Sequence, residues 1–122
     1  MKSNESAENY LETILILNGK KPVVRSVDIA EELGFKKSSV SVAMKNLREK
    51  QLITVRPEGY IYLTEAGREI AEMIYERHKV ISQWLISLGV DPETAVEDAC
   101  RMEHVISKES FAAIKKHING EQ

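Results

Sequence analysis

The amino-acid sequence predicts a mainly α-helical protein with a small β-hairpin wing: a winged helix-turn-helix over residues 1–63, then a helical dimerisation domain over residues 64–122. Three observations carry that expectation. Two short helical segments meet at Gly34, and the second turns a small, polar and basic face outward. The hydrophobic period then switches from helical to alternating around Pro57-Glu58-Gly59. Three more helical segments follow Thr64, more than a winged helix needs for its own core, so they are expected to pack on each other and on a second copy.

The first helix is expected over residues 4–17, where Ala7, Tyr10, Leu11, Ile14 and Leu17 recur at helical spacing before Asn18-Gly19-Lys20-Lys21-Pro22 breaks it. Ser26 is expected to cap a short helix over 27–33, with Gly34 as its left-handed stop. In the next helix Val40, Ala43, Met44 and Leu47 form the inward stripe, while Lys37, Ser38, Ser39, Ser41, Val42, Lys45 and Asn46 form the other face. Residues 52–56 and 60–63 are β-branched and aromatic runs flanking a Pro-Glu-Gly turn, which reads as a hairpin. Thr64 is expected to cap a long helix reaching Leu88, striped by Ile70, Ile74, Ile81, Leu85 and Leu88 and ended by Gly89. Asp91-Pro92 opens a helix expected to run to Val105, and Ser107 caps a last one with Phe111, Ile114 and Ile118 on one side.

Of the 122 residues, 43% are hydrophobic and 30% charged, which is globular composition and excludes a disordered, collagen-like or rod-like chain. No apolar run approaches the ~18 residues needed to span a bilayer, and the N-terminus lacks a signal-peptide core, so a cytoplasmic protein without a membrane partner is expected. The net charge of −2 is unevenly spread. Residues 20–56 hold nine Lys and Arg against four acids, a local +5, whereas residues 57–122 hold seven against twelve, a local −5. A basic segment joined to an acidic one is the footprint of a polyanion-binding module attached to something else. Such a module would lay its second helix in the major groove and rest the hairpin on the backbone. Lys36, Lys37, Lys45, Arg48 and Arg56 are then the expected phosphate contacts, with Ser38, Ser39, Ser41 and Val42 placed to meet base edges.

The single cysteine, Cys100, cannot form an internal disulfide, which leaves a small hydrophobe, a reactive thiol or a metal ligand. Cys100, Glu103 and His104 stand at i, i+3 and i+4, on one face of the expected helix. Thiolate, carboxylate and imidazole together suit Fe(II), Mn(II), Co(II), Ni(II) or Zn(II), although a buried Cys beside a surface Glu and His has the same spacing. His78 is in register with Ile74, Ile81 and Leu85, as a hydrogen-bonded core histidine or a ligand would be. Glu12, three residues after Asn9, stands beside the apolar stripe of the first helix, where an unpaired carboxylate is costly. One divalent ion gathered by these groups would account for all of them.

The chain resembles the DtxR/MntR metalloregulators, bacterial repressors that bind operator DNA when loaded with Fe(II) or Mn(II). The matching segments are Asn9-Tyr10-Leu11-Glu12, Val27-Asp28-Ile29-Ala30, Ser38-Ser39-Val40-Ser41, Leu63-Thr64-Glu65-Ala66-Gly67, Arg77-His78 and the stretch from Cys100 through Glu103-His104-Val105 to Ser107. The resemblance implies the short two-domain form without an SH3-like domain, and places Glu12, His78, Cys100, Glu103 and His104 on ligand positions. Asn9 stands where the family usually has Asp or Met. Cys100 is similar to the iron-type branch and Glu12 to the manganese-type branch. Ser82 and Val96 replace the carboxylate and histidine of the iron branch's second site.

The expected function is therefore that of a homodimeric repressor, activated by Fe(II) or Mn(II) with Zn(II), Co(II) or Ni(II) as substitutes, that binds a palindromic operator in double-stranded DNA to control metal-ion homeostasis genes. The ion would bridge the first helix to the dimerisation helices and so fix the spacing of two recognition helices. Two other classes fit the residue pattern: a winged-helix regulator sensing a small molecule or redox state through Cys100, indifferent to chelators, and a winged-helix protein-interaction module without salt-dependent duplex binding. An enzyme is not expected, since there is no phosphate-binding glycine loop and the Cys/His pair reads equally as metal ligands.

Overall fold

The computed structural model describes residues 5–120. There the chain runs α1 (Glu5–Asn18), α2 (Ser26–Leu33), α3 (Lys37–Glu49), β1 (Ile53–Val55), β2 (Ile61–Leu63), α4 (Glu65–Ser87), α5 (Pro92–Met102) and α6 (Lys108–Ile118). The expected first residue of the opening helix, Asn4, lies outside the described residues. Ser6–Glu72 form one compact unit and the chain from Met73 onward another, so the division falls inside α4.

In the N-terminal unit the inward rows of three helices meet. Leu11, Ile14 and Leu17 of α1, Ile29 and Ala30 of α2, and Val40, Met44 and Leu47 of α3 are buried together with Val24, Ile53, Ile61 and Ala71. The expected cap of α2 is corrected: Ser26 is already helical, and the N-cap position belongs to Arg25. A carboxylate one turn in does the capping, because Asp28 Oδ2 accepts from the Arg25 amide at 2.8 Å while Oδ1 takes Lys21 Nζ at 3.1 Å. Gly34 ends the helix at φ 69°, a left-handed conformation open to glycine without steric cost.

The wing pairs Ile53 with Leu63, Thr54 with Tyr62 and Val55 with Ile61 in antiparallel register. Its inward residues Ile53 and Ile61 are buried, as alternation requires. The Ile61 amide also donates to Val24 O at 2.8 Å, tying the wing to the segment before α2. At the wing's base Thr64 does two jobs: its Oγ1 donates to Gln51 O at 2.8 Å and accepts from the Gly67 amide at 3.1 Å, capping α4. Gly67 permits this junction, because a Cβ there would lie 2.0 Å from Leu52 O.

In the C-terminal unit Ile81 of α4, Ala99 of α5 and Phe111 of α6 form the buried centre, flanked by Leu85, Met102 and Ile106. Asp91 caps α5 by accepting from the Glu93 and Thr94 amides, and Ser107 caps α6 by accepting from the Ser110 amide. One expectation is corrected here. The fifth helix stops at Met102 rather than at Val105, so Glu103 is its C-cap and His104 lies in the following turn. Leu88 and Ile118, read as stripe residues, are 64% and 41% exposed. Ile86, Val96 and Val105 are exposed as well, so among the described residues this unit carries five exposed large apolar side chains that its own core does not use.

Candidate metal centre and nucleic-acid interface

The buried row of α3 fixes what its other face presents. With Val40, Met44 and Leu47 turned into the core, Ser38, Ser39, Ser41, Val42 and Lys45 are all exposed, Val42 to 61%. Lys36 at the N-cap, Lys37 in the first turn and Arg48 in the last turn are exposed too. Ser41, Lys45 and Arg48 line one shallow groove with Ser26, Met44 and Val55, so the α3 face continues onto the wing. Hydroxyls and one branched methyl pair suit base edges, and the flanking cations suit phosphates. Arg56 at the wing's turn is exposed, its guanidinium 6.0 Å from the centre of the Tyr62 ring.

Sequence reasoning missed a second arginine of this kind. Arg25 stands 4.9 Å over the Tyr60 ring and donates to Tyr60 Oη at 3.4 Å. The pair joins the start of α2 to the wing, and its signal was present in the unexplained cation that precedes Ser26.

In the C-terminal unit the ionisable side chains converge. His78 projects from the middle of α4, Cys100 from the last turn of α5, and Glu103 from its C-cap. His78 Nδ1 lies 3.0 Å from Glu103 Oε2 and 3.7 Å from Cys100 Sγ, and the three donor atoms all fall within 4.8 Å of one another. The other carboxylate oxygen, Glu103 Oε1, faces His104 Nε2 at 3.3 Å. Glu103 is 1% exposed and the His104 side chain 3%, whereas Cys100 reaches solvent. The one-face spacing of the sequence survives for Cys100 and Glu103 because the C-cap residue keeps right-handed helical angles, φ −60° and ψ −24°.

The donor set fits a divalent transition ion. Ligand atoms bonded at ~2.0–2.3 Å to one ion sit roughly 3–4 Å apart, and the distances from His78 Nδ1 to Glu103 Oε2 and to Cys100 Sγ, 3.0 and 3.7 Å, fall in that range. Imidazole, thiolate and carboxylate also span soft to hard, which accommodates Fe(II), Co(II), Zn(II) and Mn(II) alike. His78, Cys100 and Glu103 are thus brought together, and His104 joins them through the carboxylate. Asn9 and Glu12 lie on α1 in the N-terminal unit, where Glu12 is buried at 6% exposure and Asn9 is partly exposed. Ser82 is buried with its hydroxyl on Lys79 O at 3.2 Å, and Val96 is 42% exposed.

Arg77, beside His78, is the other residue that sequence reasoning left without a role. It is 6% exposed, and its Nη1 donates to Glu103 O at 3.1 Å and Ile106 O at 2.8 Å. Its position on the Ile70, Ile74, Ile81 stripe was the available signal.

Residues 2–60 match the model of the iron dependent repressor N-terminal DNA binding domain, and residues 64–120 match the iron dependent repressor metal binding and dimerisation domain. The chain is 35% identical over 111 residues to the transcriptional regulator MntR of Escherichia coli, covering 91% of this chain and 72% of that protein. It is 35% identical over 114 residues to an HTH-type transcriptional regulator of Methanocaldococcus jannaschii, covering 92% and 91%. Among solved structures, a manganese-dependent transcriptional repressor in complex with manganese superposes with a TM-score of 0.85 at 26% identity, over 95% of this chain and 54% of that one. The manganese regulator SloR gives 0.83 at 26% identity, over 98% and 55%. The chain spans about half the length of these two solved regulators.

Proposed function

Because the chain belongs to the iron-dependent repressor family, the DtxR/MntR group of metal-dependent transcriptional repressors rather than enzymes, we propose that it binds a palindromic operator as a homodimer when Fe(II) or Mn(II) is present, and so controls metal-ion homeostasis genes in the cytoplasm. The observation that carries this reading is the convergence of His78, Cys100 and Glu103 within 4.8 Å. A bound divalent cation would supply the positive charge that holds three electron-rich donors in one arrangement. His78 brings α4 to that arrangement, and Cys100 and Glu103 bring the end of α5, so their joint engagement fixes one helix against the other. His104 orients the second oxygen of Glu103 or adds a donor of its own. Asn9 and Glu12 are proposed as further ligands on the family resemblance alone.

On the DNA side, Lys36, Lys37, Lys45, Arg48 and Arg56 are proposed to hold phosphates, and Ser38, Ser39, Ser41 and Val42 to read base edges in the major groove. The exposed Ile86, Leu88, Val96, Val105 and Ile118 favour an apolar homodimer contact through residues 64–122, with residues 1–63 left to the duplex. Cys100 makes Fe(II) the favoured effector, with Co(II), Zn(II) and Ni(II) as substitutes, while the oxygens of Glu103 and Glu12 keep Mn(II) binding.

The test is an anaerobic titration of labelled operator duplex with Mn(II), with Fe(II) and with a chelator. Binding should appear with either metal and vanish on chelation, and His78→Ala should remove the metal response while the protein stays folded and dimeric by circular dichroism and sedimentation. Duplex binding that ignores the chelator would instead favour a redox or small-molecule sensor built on Cys100.

A further inference from the structure

A charged side chain that holds no position in the donor set nevertheless meets it from behind. Arg77 precedes His78 on α4, is 6% exposed, and donates through Nη1 to Glu103 O at 3.1 Å and Ile106 O at 2.8 Å. Both acceptors belong to the turn that carries Glu103 and His104 and follows the end of α5 at Met102. Its guanidinium also lies 5.5 Å from the centre of the Phe111 ring on α6. One buried cation therefore touches three elements of the C-terminal unit, and it satisfies a helix-end carbonyl that would otherwise lack an intrahelical donor. Its Nε is the one buried side-chain nitrogen or oxygen without a hydrogen-bond partner among the described residues.

We propose that Arg77 is a positioning residue for the metal centre: by clamping the Glu103–Ile106 turn to α4 beside His78, it holds the Glu103 carboxylate and the His104 ring where they can meet an ion shared with His78 and Cys100. This rests on the metal-centre reading above. Lysine is a poor substitute, because its ammonium ends a bond short of the two carbonyls and lacks the planar group that stacks on Phe111.

The test uses Co(II), whose absorption reports donor type and geometry, added anaerobically to the full chain and to Arg77→Met, Arg77→Lys and Cys100→Ser. The wild type should show a thiolate-to-Co(II) band that Cys100→Ser loses. Arg77→Met should weaken Co(II) affinity by about 10–100-fold in chelator competition and change the ligand-field spectrum, with Arg77→Lys in between. If Arg77→Met fails to fold, Arg77→Lys decides by the same two readouts. A lowered melting temperature with wild-type Co(II) affinity and spectrum would make Arg77 a stability residue only and overturn the inference, leaving the centre intact. No Co(II) uptake by the wild type would overturn both.

Discussion

At the scale of single residues, the proposed metal centre would owe its choice of cation to Cys100. A thiolate is softer than a carboxylate, so it raises the preference for Fe(II), Co(II) and Zn(II) over Mn(II), while Glu103 supplies a hard oxygen 3.0 Å from the His78 nitrogen. Replacing Cys100 with Glu should move the ratio of Mn(II) to Fe(II) activation midpoints toward manganese, read anaerobically as operator binding. An unchanged ratio would mean that the sulfur does not touch the ion, even though it lies 3.7 Å from His78 Nδ1. Asn9→Asp should strengthen the Mn(II) response further by adding a charged oxygen, if Asn9 is a ligand. The convergence of Cys100 and Glu103 was legible in the sequence because residue chemistry and helical spacing are local properties. The role of Arg77 was not, because its partners are carbonyl oxygens 26 and 29 residues away, which no side-chain pattern announces.

At the scale of elements, the proposed reading of α3 separates affinity from specificity. Removing one exposed cation, as in Lys37→Ala or Arg48→Ala, should weaken binding to every duplex about equally and lower the salt slope by about one, since each loses one phosphate contact. Ser38→Ala or Ser39→Ala should change which operator is preferred. Competition of two operator variants at several salt concentrations distinguishes these outcomes, and uniform losses for both sets would remove the serines from base readout. The start of α2 has its own signature in pH. The Arg25 amide bonded to Asp28, helped by Lys21, holds the Asp28 carboxyl below its ordinary value against an opposing effect of burial. A group depressed on folding stabilises above its unfolded value of ~3.9, and that contribution is lost as pH falls through the lower folded value. Asp28→Asn should therefore melt at lower temperature than the wild type at neutral pH, by the equivalent of about 1 kcal/mol for a lost cap, with the gap closing as the pH falls through the lowered folded value. A constant gap would assign the effect to packing. The sequence pointed to a cap here and named Ser26. Asp28 captures the amide instead because a carboxylate at the third helical position reaches back to the N-cap, and Arg25 occupies that place with no acceptor of its own.

For the whole molecule, the order of elements was readable because each boundary has a chemical marker. Thr64, Gly89, Asp91 and Ser107 stand where the expected caps and stops fall, and the change of period at the wing needs no tertiary information. The end of α5 was misplaced because its stop is tertiary: Arg77 accepts the task of satisfying the Glu103 carbonyl, and no glycine or proline marks the spot. Leu88 and Ile118 stand on their stripes yet are exposed in the single chain, since a stripe at helical spacing does not say whether its partner is the same chain or another copy. In the proposed function the donor set of His78, Cys100 and Glu103 and the exposed face of α3 are thermodynamically coupled through one homodimer. Coupling of binding equilibria is reciprocal, so an ion that tightens DNA binding must itself be bound more tightly in the presence of DNA, and by the same factor. The direct measurement is the Mn(II) affinity of the dimer by anaerobic chelator competition, with and without saturating operator duplex. The account predicts a tighter Mn(II) affinity on the duplex, by a factor of roughly 5–150 that equals the gain in DNA affinity on adding metal. Identical Mn(II) affinities in the two conditions would contradict it.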